Sequence, residues 1–296
     1  MNTAARSVAP ALRAAFSLLL AIGASAAAGA AVTDDRGRTF DAPAPAQRIV
    51  TLSPHLTELV FAAGAGGRLV GVPRYSDHPP AARALPLIGD ATRIDAERVV
   101  SLRPDWILAW KSGNPTGEVA RLERLGLRVY VTDAERLPDI PRVLRAIGVV
   151  AGATAAAERS ASDFEVAIAE LRERYAHRTP VRVFYPVWHR PLMTVNGRHL
   201  ISDVLALCGG INVFRDAPVL VPTVSPEAVL AARPDVVVGG ASSGGAEGFR
   251  KNWQANVSPA LRRVPSAYVD PDLMQRATPR IVQGAQAVCA ALDAVR

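Results

Sequence analysis

Ile94-Asp95-Ala96-Glu97-Arg98-Val99-Val100-Ser101-Leu102-Arg103-Pro104-Asp105 runs into the apolar stretch Trp106-Ile107-Leu108-Ala109-Trp110. Further along, Val224-Ser225-Pro226-Glu227-Ala228-Val229-Leu230-Ala231-Ala232-Arg233-Pro234-Asp235 runs into Val236-Val237-Val238. Each copy spells a short helix that ends at Arg-Pro-Asp and feeds a strand. Two copies predict two similar lobes. Open α/β sheets bind ligands beyond the carboxyl ends of their strands, so two such lobes set face to face would enclose a cleft.

Around the first copy, Arg48–Leu52, Leu69–Val72, Asp105–Trp110 and Leu127–Val131 read as strands, with helices at Thr57–Ala63 and 117–125. Strands alternating with helices imply a mostly parallel, Rossmann-like sheet. Residues 138–177 differ: Ile140, Val143, Leu144 and Ile147, then Phe164, Ile168 and Leu171, recur at helical spacing. Gly148 and Gly152 are expected to split this segment into a shorter helix and a longer one at 154–177, which would span about 36 Å. From Val181 the alternation resumes. The expected organisation is a leader at 1–30, a first lobe at 31–136, a helical linker at 137–178 and a second lobe at 179–296.

In the leader, Arg6 and Arg13 precede the apolar run Ala14–Ile22, and Ala28-Gly29-Ala30 has the small-residue form of a cleavage site. That is the pattern of a cleavable secretory signal, and it predicts a soluble periplasmic protein that is not membrane-embedded. The formal charge of +7, less those two arginines, leaves about +5. The arginines are scattered and the chain is exported, so nucleic acid is not the expected partner. Cys208 and Cys289 either pair or remain as two buried thiols of the second lobe. Export favours the disulfide, which would close a loop of about 80 residues.

Several stretches carry a resemblance: Arg48-Ile49-Val50-Thr51-Leu52-Ser53-Pro54, Thr57-Glu58-Leu59, Phe61-Ala62-Ala63-Gly64, Tyr75-Ser76-Asp77, Cys208-Gly209-Gly210 with Asn212 and Phe214, and Arg276-Ala277-Thr278-Pro279-Arg280. In these the chain resembles the periplasmic cobalamin-binding proteins of bacterial ABC importers. They belong to a wider family of substrate-binding proteins, with lobes joined by one long helix, that also carries haem and iron siderophores. The resemblance implies a monomeric carrier with no cofactor of its own, whose ligand is cobalamin or a related corrinoid, with haem as the alternative. It also implies a permease partner with separate ATPase subunits. By the same resemblance Tyr75, Trp110 and the loop Asp272-Leu273-Met274-Gln275-Arg276 would contact ligand, while Glu97 and Glu227 would meet permease arginines, one acid on each lobe. Aromatic residues of the family are replaced here by Ala91 and Val221, and Trp188 is the expected substitute wall.

Each of these residues also has a structural reading. Asp95 and Ser225 can cap their helices, and a glutamate in the first turn suits the helix dipole. Trp110 could be core. Gly240-Ala241-Ser242-Ser243-Gly244 fits a nucleophile-elbow spelling, yet no histidine follows His199 to complete a triad. His55, His78, His189 and His199 show no metal-ligand spacing, and a Gly-x-x-x-x-Gly-Lys phosphate loop is missing from the sequence. Tyr75 could coordinate haem iron. A non-catalytic binding protein is the expectation.

Overall fold

A computed structural model of the chain describes Met1, residues 30–240 and residues 244–296. The expected leader core, Ala28 and Gly29 of the cleavage motif, and the centre of the Gly240–Gly244 motif fall outside the described residues. Chain entry is a hairpin the sequence reading missed, β1 (Ala30–Thr33) against β2 (Thr39–Ala42). The first lobe then forms a parallel sheet from β3 (Ile49–Thr51), β4 (Leu69–Gly71), β5 (Trp106–Trp110) and β6 (Val129–Thr132), in spatial order β4-β3-β5-β6. Its helices are α1 (Pro54–Ala62), α2 (Ala96–Ser101) and α3 (Thr116–Arg124).

Two helices, α4 (Asp139–Val150) and α5 (Thr154–Tyr175), lead to the second lobe. There β7 (Val181–Phe184) is followed by a small hairpin, β8 (Trp188–His189) with β9 (Leu192–Met193), then helix α6 (Leu200–Leu207). The sheet is completed by β10 (Gly210–Asn212), β11 (Val236–Gly239) and β12 (Ser266–Tyr268), in order β10-β7-β11-β12, again all parallel. Helices α7 (Pro226–Ala231), α8 (Gly245–Asn256), α9 (Pro271–Met274) and α10 (Ile281–Asp293) complete the lobe. Counted in chain order, each sheet runs second, first, third, fourth strand. The internal repeat is therefore a repeat of topology.

It extends to side chains. Arg103 and Arg233 both take left-handed backbone angles, φ 46° and 45°, a conformation that costs a non-glycine residue about 1–2 kcal/mol. In each lobe a neighbouring arginine clamps that turn. Arg48 Nε and Nη2 donate to the carbonyl of Leu102 at 3.0 and 2.7 Å, and Arg182 donates to Arg233 and Ala232 at 3.0 and 2.6 Å. The aspartate of each Arg-Pro-Asp accepts the backbone N–H that opens the first strand, Asp105 from Arg48 at 3.0 Å and Asp235 from Arg182 at 2.8 Å. The motif thus ends a helix and aligns two strands at once.

Burial explains the layers. The outer face of the first sheet packs Val50, Ile107, Val129 and Val131 under α2 and α3, and that of the second packs Phe184 and Val237 against Val229 of α7 and Phe249 and Trp253 of α8. The inner faces share one core. It runs from Ile49, Leu108 and Tyr130 through Ile140, Leu144, Phe164 and Ile168 to Val183, Val204, Val238 and Val288. The apolar stripe of the 22-residue α5, about 33 Å long, lies within it. One expectation is corrected: Gly148 does not break the linker but sits inside α4, where a Cβ would lie 2.4 Å from Ala157 of α5. Its missing side chain is what lets the two helices touch. Arg145 adds an outer staple, reaching Glu158 and Glu165 of α5 at 2.8 and 2.7 Å.

Cys208, at the end of α6, is disulfide-bonded to Cys289 of α10 across 81 residues of sequence. Cys208→Ser with Cys289→Ser is expected to lower stability by about 4 kcal/mol, the loop-closure entropy returned to the unfolded chain. Urea unfolding of the oxidised protein against the variant measures it.

Candidate functional site

The carboxyl ends of both sheets converge on the line between the lobes. On the first-lobe side a buried hydroxyl chain fixes the rim. Thr57 of α1 meets Thr51 at 2.7 Å and Ser76 at 3.1 Å, pinning the loop after β4 to the helix. Tyr75, next to that pin, has φ 68° and is 75% exposed. A bulky side chain held in the left-handed region and projected into solvent is backbone strain retained at a surface.

Trp110 ends β5 and is half-buried. Its indole N–H donates to Asp133 at 3.0 Å, and its backbone N–H to Asn114 at 2.6 Å. Asn114 also donates to the carbonyls of Leu52 and Ala91 at 2.9 and 2.8 Å, tying three rim segments together. A Cβ on Gly113 would stand 1.9 Å from the indole ring, so the turn after β5 must approach Trp110 as bare backbone.

Trp110 and His55 line a cavity of about 90 Å³ between the lobes, faced from the second lobe by His199, Leu220 and Gln275. His55 is buried edge-on to Trp110, ring centroids 5.0 Å apart, with Nε2 3.4 Å from Ser53 Oγ. Burial, with Arg276 as a lesser repulsive neighbour, pushes its pKa down to about 4. His199 accepts the N–H of Ile201 through Nδ1 at 3.1 Å and so caps α6. Burial lowers its pKa as well, against the pull of Asp203. The imidazoles at the cleft floor are neutral at pH 7.

Below this floor lies an ion cluster the sequence reading did not anticipate. Glu58 of α1 has a side chain only 3% exposed and reaches across to the second lobe. It accepts from Arg276 Nη1 at 2.7 Å, Arg280 Nη1 at 3.2 Å and Thr278 Oγ1 at 3.2 Å. Arg276 meets Asp77 at 2.7 Å and Asp272 at 3.1 Å as well. Burial opposes its charge, but the hydrogen bonds it donates to Asp77 and Glu58 outweigh that and raise its pKa. Asp77 is burdened by burial yet held below the usual carboxylate range by Arg276, whereas burial carries Asp272 upward.

The expected ligand loop is thus divided in its duties. Gln275 is exposed and lines the cavity, and Leu273 is half-buried. Met274 is fully buried in the core, its sulfur beside Gly284 of α10, so it supports the loop from beneath. The guanidinium of Arg276 is held by carboxylates of both lobes. Tyr75 and Trp188 do not line the small cavity. Trp188 stands 57% exposed on the β8–β9 hairpin, its indole N–H donating to the Arg190 carbonyl at 2.8 Å.

Glu97 and Glu227 occupy the same place in the first turns of α2 and α7, both exposed. Asp95 caps α2 through the N–H of Arg98 at 2.9 Å, and Ser225 caps α7 through that of Ala228 at 3.2 Å. Neither glutamate has an ion-pair partner among the described residues. Three positions on, Val100 and Leu230 are exposed too, 44% and 42%. Each lobe therefore presents an acid beside an aliphatic side chain, a matched pair that the repeat alone did not reveal.

Compared with known proteins, residues 49–265 match the periplasmic binding protein family. The chain belongs to that family. It is 36% identical over 247 residues to the vitamin B12-binding protein of Vibrio cholerae, across 83% of this chain and 89% of the relative. The crystal structure of the periplasmic vitamin B12-binding protein of Vibrio cholerae superposes with a TM-score of 0.75 at 34% identity, covering 85% of this chain and 98% of the other. The periplasmic haem-binding protein of a Roseiflexus species superposes at 0.74 with 28% identity, covering 84% and 99%. As a periplasmic binding protein the chain is a carrier of small molecules for an ABC transporter, not an enzyme. The matched span contains both repeat copies and Glu58 but ends before the Arg276–Arg280 segment.

Glu58→Ala takes from Arg280 its only carboxylate among the described residues and from Arg276 one of three, both half-buried, and is expected to cost about 3 kcal/mol, read from the urea midpoint. His55 makes a second prediction. Its folded pKa lies below the ordinary imidazole value of 6.5. Its contribution is therefore fully present above pH 6.5 and lost as pH falls from 6.5 towards 4, by about 3 kcal/mol in all. The stability-versus-pH curve of His55→Gln should be flatter than that of the parent over that interval, and parallel curves would refute the assignment.

Proposed function

We propose that this periplasmic binding protein captures cobalamin or a related corrinoid between its lobes and delivers it to the permease of an ABC importer, acting as a monomer after export on a cleaved leader. The observation that carries the ligand class is the similarity to the vitamin B12-binding protein of Vibrio cholerae over 83% of the chain. The cleft supports it. A flat macrocycle with an amide rim needs apolar faces and a few polar anchors. Trp110 offers an indole fixed by Asp133, Tyr75 a projecting phenol, and Gln275 an exposed amide. Small side chains at Ala91 and Val221 leave the exposed Trp188 and the half-buried Leu273 as the further large apolar groups offered to the ligand. Arg276 and Asp272 set the loop that carries Gln275.

Delivery is assigned to the lobe tips. Glu97 with Val100 and Glu227 with Leu230 form two equivalent contacts, each an unpaired acid with an apolar neighbour. Paired charges fix the orientation of docking, and the aliphatic groups give the contact an apolar centre. Haem is the second reading, favoured by the free hydroxyl of the exposed Tyr75 and by the fold shared with a haem-binding protein.

Titration of the purified protein with aquocobalamin and with haemin, followed by calorimetry and absorption, decides between them. Saturable corrinoid binding weakened at least about tenfold by Trp110→Ala is expected. Binding of haemin alone, with a tyrosinate-type spectrum lost in Tyr75→Phe, would replace the first reading by the second. For delivery, Glu97→Ala with Glu227→Ala should abolish uptake in cells while leaving ligand binding intact; normal uptake by the double variant would remove the docking assignment.

A further inference from the structure

A second cavity, larger than the cleft floor at about 430 Å³, lies where the linker meets the second lobe. No residue lines both. The segment 133–138 and helix α6 serve as walls of each, contributing Asp133 and His199 to the cleft and Arg136 and Asp203 to the outer cavity. Its apolar wall includes Tyr175, at the end of α5, and Leu207, at the end of α6. Its charged wall holds Arg136, Arg172 and Arg178.

These arginines are not equivalent. Arg136 is satisfied inside the fold, donating through Nε to Asp203 at 2.6 Å, and Asp203 also accepts the N–H of Leu137 at 3.2 Å. The acid of the cavity is therefore neutralised by its own neighbours. Arg172 and Arg178 have no carboxylate partner among the described residues, and the Arg178 guanidinium stands 5.9 Å from the ring centre of Tyr175. Two unpaired guanidinium groups over an apolar wall match one kind of ligand. Guanidinium forks select oxyanions, and the lining of Leu137, Pro138, Ala206 and Leu207 beside them accepts a compact apolar body, the buried Tyr175 ring being already flanked by Arg178 and Arg296. A volume of this size lies within the range of small-molecule sites.

We propose that this outer cavity is a binding site for an organic oxyanion, a phosphate or carboxylate attached to a small apolar group, separate from the inter-lobe cleft. The assignment does not depend on which macrocycle the cleft carries. Because the Arg136–Asp203 pair in its wall joins the segment leaving the first lobe to α6 of the second, an occupant would sit against a joint between the lobes.

The test is calorimetric titration of the full chain, at fixed ionic strength, with phenyl phosphate and with inorganic phosphate. Phenyl phosphate is expected to bind at least about tenfold more tightly than inorganic phosphate. Arg172→Ser with Arg178→Ser should weaken it by at least about tenfold, and Arg198→Ser, on the cleft side, should leave it unchanged. Arg172 and Arg178 are both exposed and without an ion pair among the described residues, so an unaltered melting profile will accompany the double variant. Equal affinity for the two probes, undiminished binding by the double variant, or loss of binding in Arg198→Ser instead would each overturn the proposal, as would no heat with millimolar phenyl phosphate.

Discussion

Glu58 sets the relation between the lobes. A carboxylate removed from water is costly unless paired and hydrogen-bonded, and in this protein every donor that satisfies it comes from the other lobe. Arg276, Thr278 and Arg280 approach within 3.2 Å, so neither lobe can rotate without exposing an unpaired charge in a dry site. The same contact fixes the loop carrying Gln275, and through Asp77 it reaches the residue pair beside Tyr75. Cleft geometry on both sides is a consequence of one buried anion.

Around it the molecule is built for limited motion. The two inner sheet faces, α4, α5 and α10 share a continuous core, and packed cores shift between discrete arrangements more readily than they deform continuously. A helix pair stapled by Arg145 resists bending more than two loop crossings would. The cleft floor is correspondingly narrow, and its neutral imidazoles, His55 and His199, are held in an environment that does not tolerate their charge. The groups presented at the rim are an indole locked by Asp133 and Gly113, a strained tyrosine, and an amide on a loop braced from below by Met274.

The duplicated Arg-Pro-Asp segments do the same structural work in both lobes, and the proposed delivery surface is built on them. A left-handed arginine ends each helix, an aspartate opens the neighbouring strand, and an arginine from that strand returns to clamp the turn. This closed circuit orients α2 and α7 alike. Their first turns, with Glu97 and Glu227, are thereby carried to corresponding points of the two lobes. Asp95 and Ser225 supply the two caps, so neither glutamate is needed as one, and Glu227 lies against the Ser225 hydroxyl.

Much of this was legible in the chain itself. Local, periodic signals carry their own physics: the repeat copies gave two lobes, the 3.6-residue spacing from Ile140 to Leu171 gave the helical linker, and Trp110 was placed at a strand end by pattern alone, whereas Tyr75 stands in the loop four residues beyond β4. Glu58 is the one acid of α1, but its partners lie more than 200 residues away in sequence, and no local rule names them. Likewise Met274 and Gln275 are neighbours that face opposite ways, and Gly148 interrupts nothing because Ala157 fills its gap. Sequence alone determined the elements and their order, since propensity and periodicity act over a few residues. Only the tertiary structure decided which charges are paired, which aromatics are free and which cavity each arginine faces, because desolvation and long-range pairing exist only once the chain has closed on itself.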